Sequence, residues 1–317
     1  MWKSILALLV VMALPAEAET LIAKRLDGTD IQIWVERADT KRPVPVVLAV
    51  DGSLCTPEES SEWIKWLAAQ RNGAHPYTLV VVKKPSPTVP DTDPDGSYRI
   101  GPDFRCSDDF KQHYTLDQRV QDHLQALAYL RRYAPWWNRE LLVWGFSDGA
   151  HAGARVGVYS PETKAQVLVG LGGGTSMAVE LENMMCSGPK STASCHSDYH
   201  EQLRKIRENP TFAQSWLGEA NTYAVWKSRL DSVDLYSLQY SLAPVLVIHG
   251  TKDGSVPVQS ARVLGEKLAP PKGAVEYKEV EGMNHGLGSG LPPAEATKLQ
   301  ESTLQWLLRH AGSKPGS

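Results

Sequence analysis

The sequence predicts an α/β protein: a mostly parallel central sheet with helices on both faces. Three observations predict it. Apolar runs of strand length, such as "VPVVLAV" and "YTLVVV", carry no polar alternation, which suits strands covered on both faces. Amphipathic helical stretches alternate with these runs. One apolar run, "ELLVW", passes straight into the pentad Gly145-Phe146-Ser147-Asp148-Gly149, and a helical pattern follows.

Taken in order, "AKRLDGTDIQIWVER" reads as a hairpin, with Asp27-Gly28 as the turn between β-prone segments. Val44 to Val50 is a buried strand. "TPEESSEWIKWLAAQ" then predicts a helix with Thr56 as N-cap, Pro57 in the first helical position and Glu59 closing a capping box. "YTLVVVKK" is a second buried strand. Residues 84–115 are rich in Pro and Asp and read as a long loop. "LDQRVQDHLQALAYLRR" is an amphipathic helix, "ELLVWGF" a strand, "SDGAHAGARVGVYS" a helix and "AQVLVGLGG" a strand. The rhythm resumes late with the strand "PVLVIHG", the helix "VQSARVLGEKL", the strand "AVEYKEVEG" and a helix from Pro293 to about His310. Between Gly174 and Ala243 the gap is too long for a simple crossover. Residues 175–242 are therefore expected to form a cap over the carboxyl ends of the strands, where ligands bind in such sheets.

The N-terminus has its own logic. Lys3 precedes the apolar run Ile5 to Leu14, and Ala16 and Ala18 give the A-x-A layout of a secretory signal peptide. The run is about half the ~20 residues of a spanning helix, so residues 1–18 are expected to be cleaved and 19–317 to form the mature domain, secreted or periplasmic, without stable membrane insertion. The net charge of −3 supplies no basic footprint for nucleic acid. Cys55, Cys106, Cys186 and Cys195 are an even set in a secreted chain and read as disulfides. They allow three pairings, of which 55–106 and 186–195 are favoured by loop position and sequence proximity.

A lone G-x-S-x-G is weak evidence, but this one sits between a strand and a helix and is followed by Ala150, Ala152, Gly153 and Ala154. A serine at the tip of a sharp strand-to-helix turn is strained, and side chains on the flanking residues would strike the neighbouring strand or helix. The helix N-terminus behind it favours a developing oxyanion. On "GFSDGA" the sequence resembles the α/β-hydrolase family, from about Leu21 to the C-terminus. The likeness is strongest to its dienelactone hydrolase, carboxylesterase and prolyl-oligopeptidase-like branches, which often carry HG-x-x-D-x-x-VP after a late strand; here it stands as "HGTKDGSVP", His249 to Pro257.

The resemblance implies the chain order Ser, Asp, His. Asp253 lies on the loop after "PVLVIHG", and His285 lies in the glycine-rich "EGMNHGLG" after the next strand. Ser147 is then the nucleophile, His285 the base and Asp253 the residue that orients it. His151 is expected to pack along its helix or face solvent, not to lie over the serine oxygen. His249 reads as a structural residue near the site, and Asp231 and Asp234 as weaker acid candidates. Asp148 is expected to contribute its backbone N–H to an oxyanion hole. The second donor is expected from "DGSLC", where the family often has His-Gly and this chain has Asp51-Gly52. That departure leaves Ser53 as the favoured donor and Leu54 as the alternative.

Two other motifs read as bland. "DTDPDG", Asp91 to Gly96, matches half of a calcium loop but places Pro102 where Glu belongs. "CHSDYH" puts His196 and His200 on one helical face beside Cys195, without a second ligand cluster. The tryptophans Trp63, Trp66, Trp136, Trp137, Trp216 and Trp226 read mostly as packing, with Trp216 and Trp226 as candidates to line a pocket. The implied activity is hydrolysis of small-molecule carboxylic esters through an acyl-enzyme, chemistry that needs no cofactor or metal. A serine peptidase or amidase of the prolyl-oligopeptidase type is the first alternative, disfavoured by the short mature stretch before the first core strand. A non-catalytic binding protein of the same fold is the second.

Overall fold

A computed structural model describes residues 18–92, 98–99, 104–271 and 273–312. The expected signal peptide, apart from Ala18, and most of the "DTDPDG" motif lie outside the described residues. The hairpin forms as expected: β1 (Glu19–Lys24) and β2 (Asp30–Glu36) pair antiparallel around the Asp27-Gly28 turn. Then come β3 (Val44–Val50), α1 (Glu62–Gln70), β4 (Thr78–Val82), the two-residue strands β5 (Asp91–Thr92) and β6 (Tyr98–Arg99), α2 (Asp108–His113) and α3 (Leu116–Tyr133). The strand β7 (Trp137–Phe146) leads into α4 (Asp148–Tyr159) and β8 (Thr163–Val169). Between β8 and the next strand lie α5 (Met177–Met185), α6 (Ala193–Glu208), α7 (Tyr223–Leu230) and α8 (Leu235–Leu238). The chain ends with β9 (Val245–Gly250), α9 (Val258–Leu268), β10 (Val275–Val280) and α10 (Pro293–Leu308).

Eight strands form one sheet in the order β1-β2-β4-β3-β7-β8-β9-β10. From β4 to β10 every pairing is parallel, and β2 runs antiparallel to both its neighbours. The unalternated runs are explained by two-sided burial. Val47 and Ala49 of β3 face a core with Ile64 and Leu67 of α1 and Leu304 and Leu307 of α10. Val46, Leu48 and Val50 face the other core, with Val120 and Leu127 of α3 and Val156 of α4. α9 joins α4 on that second side through Leu264 and Leu268. Helices α5 to α7 share a separate apolar cluster of Leu181, Tyr199, Leu203, Ile206, Trp226 and Leu230.

Two expectations are corrected. The capping box at Thr56 does not form: a 3-10 turn occupies Glu58–Ser60, and α1 begins at Glu62 after Ser61. The Glu59 carboxylate that would close the box pairs with Lys83 instead, Glu58 is buried against the Lys84 N–H, and the Ser61 hydroxyl donates to Asp51. Within the stretch read as a loop, α2 forms because Ser107 caps the Phe110 N–H and Phe110 is fully buried.

Candidate active site

The parallel strands deliver their carboxyl ends to one edge. The residues singled out in the sequence follow β3, β7, β9 and β10 at that edge. Ser147 has φ 54° and ψ −125°, a strained left-handed backbone for a serine, and its N–H donates to Val169 O at 2.9 Å. The flanking glycines are forced by space. A Cβ on Gly145 would stand 2.7 Å from Ala150 Cα, and one on Gly149 would stand 2.0 Å from Val50 O.

Three of the expected residues meet in a hydrogen-bonded row. Ser147 Oγ lies 2.8 Å from His285 Nε2, and His285 Nδ1 lies 2.8 Å from Asp253 Oδ2. The other Asp253 oxygen accepts the N–H groups of Ser255 and Val256 at 2.8 and 2.9 Å. Burial would raise this carboxyl, but its bonds to His285 and to those N–H groups outweigh burial and keep it below the usual range. His249 is buried beside the row, with Nε2 3.1 Å from Val256 O and 3.3 Å from Asp253 Oδ2.

Asp148 points its carboxylate away from His285 into a buried knot absent from the sequence reading. Arg229 of α7 grips it with Nε and Nη2 at 2.6 and 2.9 Å, Arg119 of α3 with Nη1 at 2.6 Å, and the Tyr114 hydroxyl lies 3.0 Å away. Burial alone would raise the Asp148 carboxyl; the two guanidinium groups reverse this and hold it well below its ordinary value. The same groups hold the loop after β3. Arg119 Nη2 donates to Asp51 O at 2.8 Å, and the Tyr114 hydroxyl lies 3.0 Å from Gly52 O. C=O and N–H project to opposite sides of a trans peptide, so this anchorage turns the Ser53 N–H away from Tyr114. Asp51, the departure from His-Gly, bonds Lys84, Trp63 and Ser61 through its carboxylate. The sequence could have signalled that Arg119 is buried, though not its partner: it lies three residues after buried Leu116 and beside Val120, on the apolar face of α3.

A cavity of about 1050 Å³ opens over Ser147 and His285, with Ser53, Leu54 and Asp148 in its lining. Trp63, Trp66 and Trp226 line it too, so the first two are not merely packing residues. Trp216 is not in the lining; it packs edge-on against Trp226 and accepts the Trp226 Nε1–H through its carbonyl. His151 is buried and lines the cavity, with Nδ1 2.5 Å from Asp234 Oδ2, so Asp234 serves His151 and not His285. The cysteines are joined as 55–106 and 186–195. His196 and His200 both lie against Glu182, at 2.8 and 3.2 Å.

The fold agrees with the comparisons. A BD-FAE family model, of α/β-hydrolase type, matches residues 98–268, more than half of the chain. The chain belongs to the BD-FAE family. No curated protein matches the sequence. Among solved structures, the BD-FAE chain resembles dipeptidyl peptidase 4 from Porphyromonas gingivalis at 14% identity and TM-score 0.56, with 92% of this chain covered but 35% of the peptidase. It resembles the Pyrococcus horikoshii acylaminoacyl peptidase at 15% identity and TM-score 0.62, covering 95% of this chain and 42% of that one. It resembles the Pyrococcus furiosus esterase Pf2001 at 13% identity and TM-score 0.56, covering 92% of this chain and 93% of the esterase. The BD-FAE chain thus spans less than half the length of the peptidases. At these identities the shared property is the α/β-hydrolase fold.

Proposed function

We propose that this BD-FAE protein is a secreted or periplasmic serine hydrolase of small carboxylic esters. The observation that carries the reading is the Ser147–His285–Asp253 row at the floor of a largely apolar cavity. Ser147 Oγ attacks the ester carbonyl while His285 Nε2 takes its proton. Asp253 holds the imidazole by Nδ1 and stabilises the imidazolium. The N–H groups of Asp148 and Ser53 receive the oxyanion. His285 then protonates the departing alcohol, and water, activated by the same imidazole, hydrolyses the acyl-enzyme. Residues 175–242 act as the cap, contributing Met177, Leu181 and Trp226 to the cavity. An esterase shares this fold over 93% of its own length, which supports the ester reading. The two disulfides favour an oxidising compartment.

The test is hydrolysis of p-nitrophenyl acetate by wild-type and Ser147→Ala proteins, with fluorophosphonate labelling of Ser147 alongside. The variant is expected to lose at least roughly a thousandfold in kcat. Full retained activity, or an unlabelled Ser147 in folded protein, defeats the reading. A panel of short-chain esters against dipeptide amides separates esterase from peptidase.

A further inference from the structure

The first turns of α4 carry a second imidazole. His151 follows Ser147 by about one helical turn, roughly 6 Å along the axis, and helical side chains lean back toward the N-terminus. It lines the cavity with a side chain only 6% exposed. Nδ1 is taken by Asp234, which Arg155 Nη1 holds at 2.8 Å. Nε2 meets no hydrogen-bond partner among the described residues, yet it is not sealed from solvent, and the opening beside it is the cavity.

The charges behind this wall are uneven. Asp148, Asp234 and, where ionised, Glu180 face Arg119, Arg229, Arg155 and His151, so the cations outnumber these anions once the imidazole is protonated. Burial alone would favour neutral His151; the charge and hydrogen bond of Asp234 outweigh it, helped by Glu180 and Asp148, and raise it above its ordinary value. Burial pushes Glu180, the acid facing it from α5, toward its neutral form. The rest of the lining mixes aromatic and aliphatic side chains, including Trp63, Trp66, Phe146 and Leu181, with polar ones, among them Arg229 and Glu62. A buried cation with an unused donor is costly unless a ligand group accepts it.

We propose that His151 is the anion-binding residue of this cavity, its Nε2–H receiving a carboxylate on the acyl or alcohol part of the substrate. The substrate class is then an apolar or aromatic ester that carries a free acid. The reaction in this statement rests on the esterase reading; the binding does not.

Calorimetric titration of 3-phenylpropionate and 3-phenylpropionamide into the Ser147→Ala protein compares an anion with its neutral analogue and needs no turnover. A failure of the esterase reading therefore leaves this test intact. Near pH 6 the acid is expected to bind about tenfold more tightly than the amide. The preference should fall to near parity in Ser147→Ala/His151→Gln. It should also fade as pH rises through the titration of His151, because the neutral ring that donates Nδ1–H to Asp234 presents Nε2 as an acceptor. His285 and Arg229 also line the cavity and are the competing cations; a preference held by Arg229 would not fade as pH rises. A preference that survives His151→Gln assigns the anion elsewhere and overturns the proposal, as does equal binding of acid and amide by Ser147→Ala. Where the His151 variant fails to fold, Ser147→Ala/His285→Gln decides: the acid preference must persist there and still fade as pH rises, and its loss, or a preference that does not change with pH, overturns the proposal.

Discussion

Tyr114 shows how one buried hydroxyl can bear on chemistry it never touches. Its oxygen lies 3.0 Å from both Gly52 O and Asp148 Oδ2, between the two loops whose N–H groups are proposed to hold the oxyanion. Burial pushes its phenol well above its ordinary value, so it stays neutral and remains a donor. Tyr114→Phe is expected to lower kcat about tenfold with little change in KM, less than the hundred- to thousandfold typical of losing an oxyanion donor outright. Stability should fall by about 1–2 kcal/mol. Steady-state kinetics and urea melts check both, and an unchanged kcat would remove Tyr114 from the positioning of the loop. At this scale Ser147 could be singled out from its strand-to-helix turn and its glycines, and Asp253 and His285 from the short motifs that resemble those of α/β-hydrolases. Tyr114, Arg119 and Arg229 were not, because nothing beside them in the chain names their partner. Their partner is Asp148, reached only when α2, α3 and α7 pack together.

Among the elements, α7 has the largest consequence. Its Arg229 ties the β8–β9 segment to the turn that carries Ser147, alongside the Asp234 contacts to His151 and Arg155. Arg229→Met leaves Asp148 buried with Arg119 and Tyr114 alone, and should cost about 3 kcal/mol. Arg229→Lys keeps the charge but not the two-pronged grip, and should recover only part of the loss. Denaturant melts of the three proteins test this order; a Met variant as stable as wild type would contradict it. Elements were legible where periodicity ruled, as in α3, α9 and the buried strands. The start of α1 was not. Its local capping signal at Thr56 and Glu59 lost to tertiary partners that claimed Glu59, Glu58 and Ser61, a case of long-range bonding overriding a weak local preference.

For the whole molecule, the disulfides differ in reach. Cys55–Cys106 closes 51 residues and joins the loop after β3 to the approach to α2, whereas Cys186–Cys195 closes nine within the β8–β9 segment. On loop-closure grounds, removing the first by Cys55→Ser/Cys106→Ser should cost about 4 kcal/mol and removing the second about 2–3 kcal/mol. Equal or reversed losses in urea melts would show that loop entropy is not what these bonds supply. The first removal should also lower kcat, since Gly52 and Ser53 lose a neighbouring anchor.

The sequence by itself determined the alternation of elements, the buried parallel sheet and the serine turn. Each depends on hydrophobic period or on the space that glycine leaves, and both are local properties of the chain. Only the tertiary structure decided which buried polar groups pair. It turned Asp148 to Arg119 and Arg229, gave Asp234 to His151, and opened His151 to the cavity beside Ser147. Such pairings join residues 29 to 83 positions apart. They are chosen by the cost of leaving a buried charge alone, and that cost exists only once the chain has closed around it.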